Sequence, residues 1–237
     1  NVLEQDMGSK AVLASAGSVL IADDVTITVE NAAIAADQKT FDIAPNVQGT
    51  YGLSLDGANN TLSVVSKLES LDVKSGTLTL GTTADASDAT LTAKITGSGG
   101  VTINSAKDVR LTNSANDFKG ATNVDAGNLI VERNALGHTD SLNVNKERVV
   151  TIQGDQSHVQ SLHVMGALSI EAGVFTVNEK EGITNTVSRL TTQVSEALSG
   201  SGNLTLTGKG SEIKGTNKGF SGAVTLGSDS TTTIHDA

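Results

Sequence analysis

The chain has 237 residues, 26 Asp and Glu against 16 Lys and Arg, and a net charge of −10. It therefore lacks the basic patch that nucleic acid or an anionic lipid surface requires. Aromatics are 2% of residues, with no Trp and no Cys, so neither a core anchored on large rings nor a disulfide or thiolate metal site is available.

With 25 Gly, one Pro and 37% hydrophobic residues the chain should fold. Its cohesion must come from stacked Val, Ile, Leu and Ala, as in a solenoid. The first ten residues lack a basic start followed by an apolar run. No segment reaches the roughly 18 apolar residues of a membrane helix, so no lipid-embedded segment is expected. The polar end TTTIHDA reads as a cut between coils of a longer protein.

Val19 and Ile21, then Val25, Ile27 and Val29, alternate with polar residues at the period of two that marks strands, with Asp23-Asp24 as a corner. Residues 31–39 suggest a short helix or loop, and Pro45-Asn46 is a turn signal. From Tyr51 the rhythm is steady: Leu53 and Leu55, a GANN corner, Leu62 and Val64, Leu71 and Val73, a Ser75-Gly76 corner, then Leu78 and Leu80. Two or three such strands make a coil of roughly 20 to 25 residues, which over the whole chain predicts roughly ten coils. The pattern continues through Val124, Leu129 and Val131, Leu142 and Val144, Val150 and Ile152, Leu162 and Val164, Leu168 and Ile170, and Val174 and Val177. Ile183, Val187, Leu190, Val194 and Leu198 fall instead on a helical template, so a helix over residues 182–193 competes with strand there. Nothing reads as a linker, so residues 1–237 form one all-β domain, less regular over 1–70 and repeat-bearing over 71–237.

The repeat itself is explicit. Ile95-x-Gly97-x-Gly99-Gly100-Val101 returns as Leu198-x-Gly200-x-Gly202-Asn203-Leu204. The first copy is followed by Asn116, Phe118 and Gly120, the second by Asn217, Phe220 and Gly222, with one extra residue between Asn217 and Phe220. The stretch GATNVDAGNLIV and the NALG at 134–137 follow the first copy. Together these motifs resemble the passenger-associated repeat of bacterial (type V) autotransporters and cover about half of the chain. The resemblance implies a right-handed parallel β-helix secreted across the outer membrane and displayed at the surface of a Gram-negative bacterium. Read from the residues alone, the glycines allow crowded corners, the asparagines bond to neighbouring backbone, and Phe118 and Phe220 are apolar plugs.

Chemistry is sparse. No GxSxG elbow, HExxH, P-loop, GxGxxG or EF-hand pattern occurs, and neither does the GDSGS-type serine site of protease autotransporters. Of His138, His158, His163 and His235, only His158 and His163 are close in sequence, and a spacing of five puts them on opposite faces of a strand unless a corner intervenes. Asp85 and Asp88 lie at a corner without a basic neighbour, which favours turn roles over acid/base work. The NEKEG run at 178–182 reads as a solvated loop, and the sequons at Asn59 and Asn203 as ordinary corner asparagines.

The expected function is a non-catalytic surface adhesin whose polar faces associate with copies of itself on neighbouring cells, giving aggregation and biofilm. The alternatives are an adhesin for a host matrix protein or glycan, a β-helical carbohydrate-active enzyme, and an inert stalk. No cofactor or metal is expected, and no interaction face is singled out.

Overall fold

The computed structural model describes residues 9–15, 40–56, 61–178, 185–187, 198–207, 210–214, 217–227 and 231–235, and every regular element among them is a strand. The chain enters through antiparallel pairing. β1 (Ser9–Ser15), β2 (Thr40–Ala44), β3 (Val47–Asp56) and β4 (Thr61–Val73) lie in the order β1-β4-β3-β2. Pro45-Asn46 makes the β2–β3 turn, with Asn46 at φ 62, a conformation asparagine tolerates.

Beyond Val73 the pairing becomes parallel and the chain coils. The first turn consists of β5 (Thr77–Leu80), β6 (Ala89–Leu91) and β7 (Lys94–Thr96). The second has β8 (Gly100–Asn104), β9 (Val109–Leu111) and residues 116–118; the third has β10 (Thr122–Ala126), β11 (Leu129–Val131) and residues 135–138. The fourth is β12 (Leu142–Val144), β13 (Val149–Gln153) and β14 (Gln156–Val159). The fifth is β15 (Leu162–Val164), β16 (Ala167–Ala172) and β17 (Val174–Val177). The sixth is β18 (Asn185–Val187), β19 (Leu198–Ser199) and β20 (Asn203–Leu206). β21 (Gly210–Lys214) and β22 (Val224–Leu226) continue the stack, and β23 (Thr231–His235) follows them.

Three faces result. The first is the stack β5-β8-β10-β12-β15-β18-β21-β23 and the second is β6-β9-β11-β13-β16-β19. The third is β14-β17-β20-β22. It extends toward the N-terminus through residues 135–138 and 116–118, where His138 N–H donates to Phe118 O at 3.0 Å and Asp117 N–H to Ile95 O at 2.8 Å. β7 then pairs in parallel with the end of β4, so the antiparallel hairpin feeds directly into the third face.

This is a β-solenoid of about six turns, fewer than the ten expected. Residues from 40 to 73 are largely spent on antiparallel pairing instead of coils. Where the turns are shortest each takes about 18 to 20 residues, as for the register partners Val150 and Leu168 or Thr122 and Leu142. The helix considered over 182–193 is not formed where the chain is described: Asn185–Val187 is β18, paired with β15 and β21. There the pairing with neighbouring coils overrides the local helical spacing. The expectations for residues 19–29, 31–39, 57–60 and 179–182 lie outside the described residues.

Alternation explains the core. Strand residues point inward every second position, so each coil adds one rung to fixed columns. Leu80, Ile103, Val124, Val144, Val164, Val187 and Ile213 form one column on the first face, and Leu91, Leu111, Val131, Ile152 and Ile170 one on the second; all are buried. Each side chain buried in this way contributes about 1.5–3 kcal/mol. The columns join Leu68, Leu71 and Val73 of β4 in one continuous core, which gives the hairpin a packed seat on the rod.

Candidate functional site

The two sequence copies fold to the same local structure. Gly99 N–H donates to Val73 O at 2.8 Å and Gly100 N–H to Gly76 O at 2.9 Å; in the second copy Gly202 N–H donates to Ile170 O at 2.7 Å and Asn203 N–H to Gly173 O at 2.9 Å. Ile95 N–H donates to Asn116 Oδ1 at 2.8 Å, and Leu198 N–H to Asn217 Oδ1 at 3.0 Å. Lys119 and Ser221, preceding Gly120 and Gly222, donate to the carbonyls of Gly97 and Gly200. The extra residue of the second copy is absorbed in the turn at Lys218-Gly219, where Gly219 O accepts from Gly200 N–H at 3.0 Å. Phe118 is fully buried, whereas Phe220 is only partly buried against the core.

Yet the copies occupy different corners of the rod. The first turns from the third face into the first, and the second turns from the second face into the third. The motif therefore encodes a corner and not a place within a coil. The hydrogen bonds made at these repeat positions run between neighbouring coils.

Another corner carries a hydrogen-bonded ladder. Asp108 N–H donates to Asp88 Oδ1 at 3.1 Å, Asn128 Nδ2 to Asp108 Oδ1 at 2.9 Å, and Val149 N–H to Asn128 Oδ1 at 3.0 Å. Asp85 beside it accepts from Thr82 N–H and Thr82 Oγ1, both at 2.8 Å, and from Ser105 Oγ on the next coil at 2.9 Å. These donors, the Thr82 amide foremost, hold the Asp85 carboxyl below the usual carboxylate range, against an opposing effect of burial. A depressed folded-state value means that the stabilisation is present above the unfolded value of about 3.9 and is lost as pH falls through the folded one. Hydrogen exchange of the 82–88 corner should accordingly rise between about pH 5 and pH 3 relative to other corners, and Asp85→Asn should remove that acid-dependent component.

Polar chemistry is ordered along the first face. Thr102, Asn123, Asn143 and His163 are register partners on successive coils and point outward. Asn123 Nδ2 donates to Thr102 Oγ1 at 3.4 Å and Asn143 Nδ2 to Asn123 Oδ1 at 2.8 Å, while a parallel row holds Asn145 Nδ2 to Asp125 Oδ1 at 2.9 Å. Of the outward positions on β8, β10, β12 and β15, only Asp125 is acidic, so the net negative charge is not concentrated on this ladder. The second face has a different character. Arg110 Nη1 contacts Glu132 Oε1 at 3.2 Å and Gln153 Oε1 at 2.5 Å, and Gln153 Nε2 donates to Glu171 Oε2 at 2.8 Å.

The histidines are rearranged relative to the sequence expectation. A corner separates His158 and His163, so both point outward instead of to opposite sides of one strand, His158 from β14 on the third face and His163 from β15 on the first. His158 instead stacks on His138, 20 positions earlier in the sequence, with ring centroids 4.4 Å apart. Single-residue inspection missed this pair and the asparagine ladder, because their members share no local motif. The recoverable signal was Asn123, Asn143 and His163 recurring at 20 residues, one coil apart. A shallow, open recess of about 410 Å³ lies at the β2–β3 turn, lined by Asp42, Pro45, Asn46 and Lys74 among others, away from the polar ladder.

In comparison with known proteins, no family model and no solved structure matches the chain. It is similar to the uncharacterized lipoprotein YdeK of Escherichia coli (strain K12), at 31% identity over 245 residues covering 95% of this chain. The chain spans only 17% of that relative's length.

Proposed function

We propose that this chain is part of the passenger of an autotransporter-type protein, a right-handed β-helix displayed at the cell envelope of a Gram-negative bacterium. Its function in this reading is self-association with copies on neighbouring cells. The single observation that carries this is the first-face ladder of Thr102, Asn123 and Asn143. Its amides and hydroxyls recur at the coil spacing of about 4.8 Å with little charge among them. A second rod bearing the same array can pair with it by hydrogen bonds repeated along the stack, so individually weak contacts add through multivalency. Keeping acidic side chains off the ladder removes much of the repulsion that two chains of net charge −10 would otherwise feel. The right-handed sense follows the near-universal preference of parallel β crossovers. The lipoprotein name of the E. coli relative supports an envelope location.

The test is display of the chain on a non-aggregating Gram-negative host, with cell settling and sedimentation velocity of the purified chain as readouts. Wild type is expected to settle and self-associate. Asn123→Asp with Asn143→Asp, which sets like charges opposite one another, should weaken association about tenfold or more. A strictly monomeric chain without settling, but with binding to a matrix-protein or glycan array, would replace self-association with host adhesion.

A further inference from the structure

On the third face, three successive coils bring Asp117, His138 and His158 together, although 20 residues or more separate its ends from its middle in sequence. His138 follows a turn in which Asn134 and Gly137 take positive φ, and its side chain is exposed. His158 faces outward beside Ser157 because the β14 register shifts between Gln156 and Val159, so both intervening side chains point to solvent. Backbone bonds fix the spacing: His138 N–H donates to Phe118 O and Gln160 N–H to Thr139 O, each at 3.0 Å.

Within this frame His138 Nδ1 lies 3.2 Å from Asp117 Oδ1, and the two imidazoles stack at 4.4 Å with an interplanar angle of 30°. A carboxylate at Nδ1 holds the proton there. The lone pair of the neutral ring is thereby left on Nε2, and the ring becomes a better ligand, as in carboxylate–histidine–metal arrangements. The neighbouring imidazole supplies a second nitrogen from the same face. Two nitrogens on one metal, each at about 2.0–2.1 Å, sit roughly 3–3.5 Å apart with their in-plane lone pairs convergent, so the two exposed rings turn out of the stack about their side-chain torsions to share a cation. Among the described residues no three His, Asp or Glu side chains converge as donors, so any site here is open, with two protein ligands and water completing the coordination.

We propose that His138 and His158 form a two-histidine site for a borderline divalent cation of the Zn²⁺, Ni²⁺ or Cu²⁺ class, with Asp117 as the positioning residue for His138. Imidazole donors select this class over Ca²⁺ and Mg²⁺, which take oxygen ligands. The site is on the third face and does not depend on the first-face ladder.

Untagged protein is titrated with ZnCl₂ and NiCl₂ by calorimetry, with histidine ring resonances followed by NMR. The expected result is one site per chain that shifts His138 and His158 together and that a tenfold excess of CaCl₂ does not displace. His138→Ala and His158→Gln should each weaken binding about tenfold or more, and Asp117→Asn by about 10- to 100-fold, while His163→Ala leaves it unchanged. All four side chains are exposed, so circular dichroism should be unaltered in each variant. Zinc binding that survives the His138→Ala, His158→Gln double variant, displacement by calcium, or no zinc-dependent shift of either ring would overturn the site. Full affinity in Asp117→Asn would overturn the role of Asp117.

Discussion

Gly97→Ala should destabilise the rod by about 3–5 kcal/mol, whereas Gly76→Ala, one coil earlier at the same corner, should cost only about 1 kcal/mol. Both glycines take positive φ, 100° at Gly97 and 71° at Gly76, and so both carry the conformational cost of a side chain in that region. The difference is space. A Cβ on Gly76 meets nothing within 4 Å, but one on Gly97 would lie 2.2 Å from Val73 O and 2.7 Å from Val73 C. That carbonyl cannot retreat without loss, because it accepts Gly99 N–H at 2.8 Å and thereby sets the corner. Gly200→Ala should behave like Gly97→Ala, with φ 98° and Ile170 O at 2.1 Å from the added carbon. Urea unfolding followed by far-ultraviolet circular dichroism reads the three variants side by side. Equal midpoints for Gly76→Ala and Gly97→Ala would mean that the corner is not closely packed.

These glycines show why the solenoid was legible in the sequence. A coil with one rung per turn imposes the same alternation and the same corner chemistry wherever it recurs, so Leu78 and Leu80, Val124, and Leu142 and Val144 announce themselves locally. The antiparallel entry was not legible. Leu53, Leu55, Leu62 and Val64 alternate as coil residues do, and a period of two carries no information about whether the partner strand runs parallel or antiparallel. The coil count suffered from the same ambiguity, since alternating residues in β3 and β4 were read as rungs.

The candidate sites were hidden for a different reason. A ladder such as Thr102, Asn123 and Asn143 consists of one residue per coil, each unremarkable in its own strand, and it exists only once the register is known. The His138 and His158 pair depended further on a register shift in β14, which has no sequence signature, and on the 134–138 turn, whose NALG was legible as a motif but not as a neighbour of β14. The corner asparagines were legible as corner residues, but their reach across coils was not.

Asn116 shows how much that reach is worth. Its Oδ1 accepts Ile95 N–H from the coil before, at 2.8 Å, and its Nδ2 donates to Ala135 O on the coil after, at 2.7 Å, so one buried amide joins three turns. Leu has nearly the same size, so Asn116→Leu leaves no large cavity; it strands one N–H and one C=O instead. At about 1–3 kcal/mol for each unsatisfied group, the expected loss is about 3–4 kcal/mol in urea unfolding. Asn217→Leu at the equivalent but half-buried position should cost less, about 1–2 kcal/mol, because water can reach the groups it abandons. Asn116→Asp separates the two halves of the amide. It keeps an acceptor for Ile95 N–H but places a second oxygen against Ala135 O, where only the protonated acid can donate. Burial beside that carbonyl disfavours the charged form, so the folded state binds a proton more tightly than the unfolded one, and stability must rise as pH falls. Asn116→Asp should therefore regain stability relative to wild type as pH falls from neutral toward the unfolded value of about 3.9, while Asn116→Leu shows no such recovery. Equal pH profiles for the two variants would mean that the donor half of Asn116 contributes nothing to joining the coils.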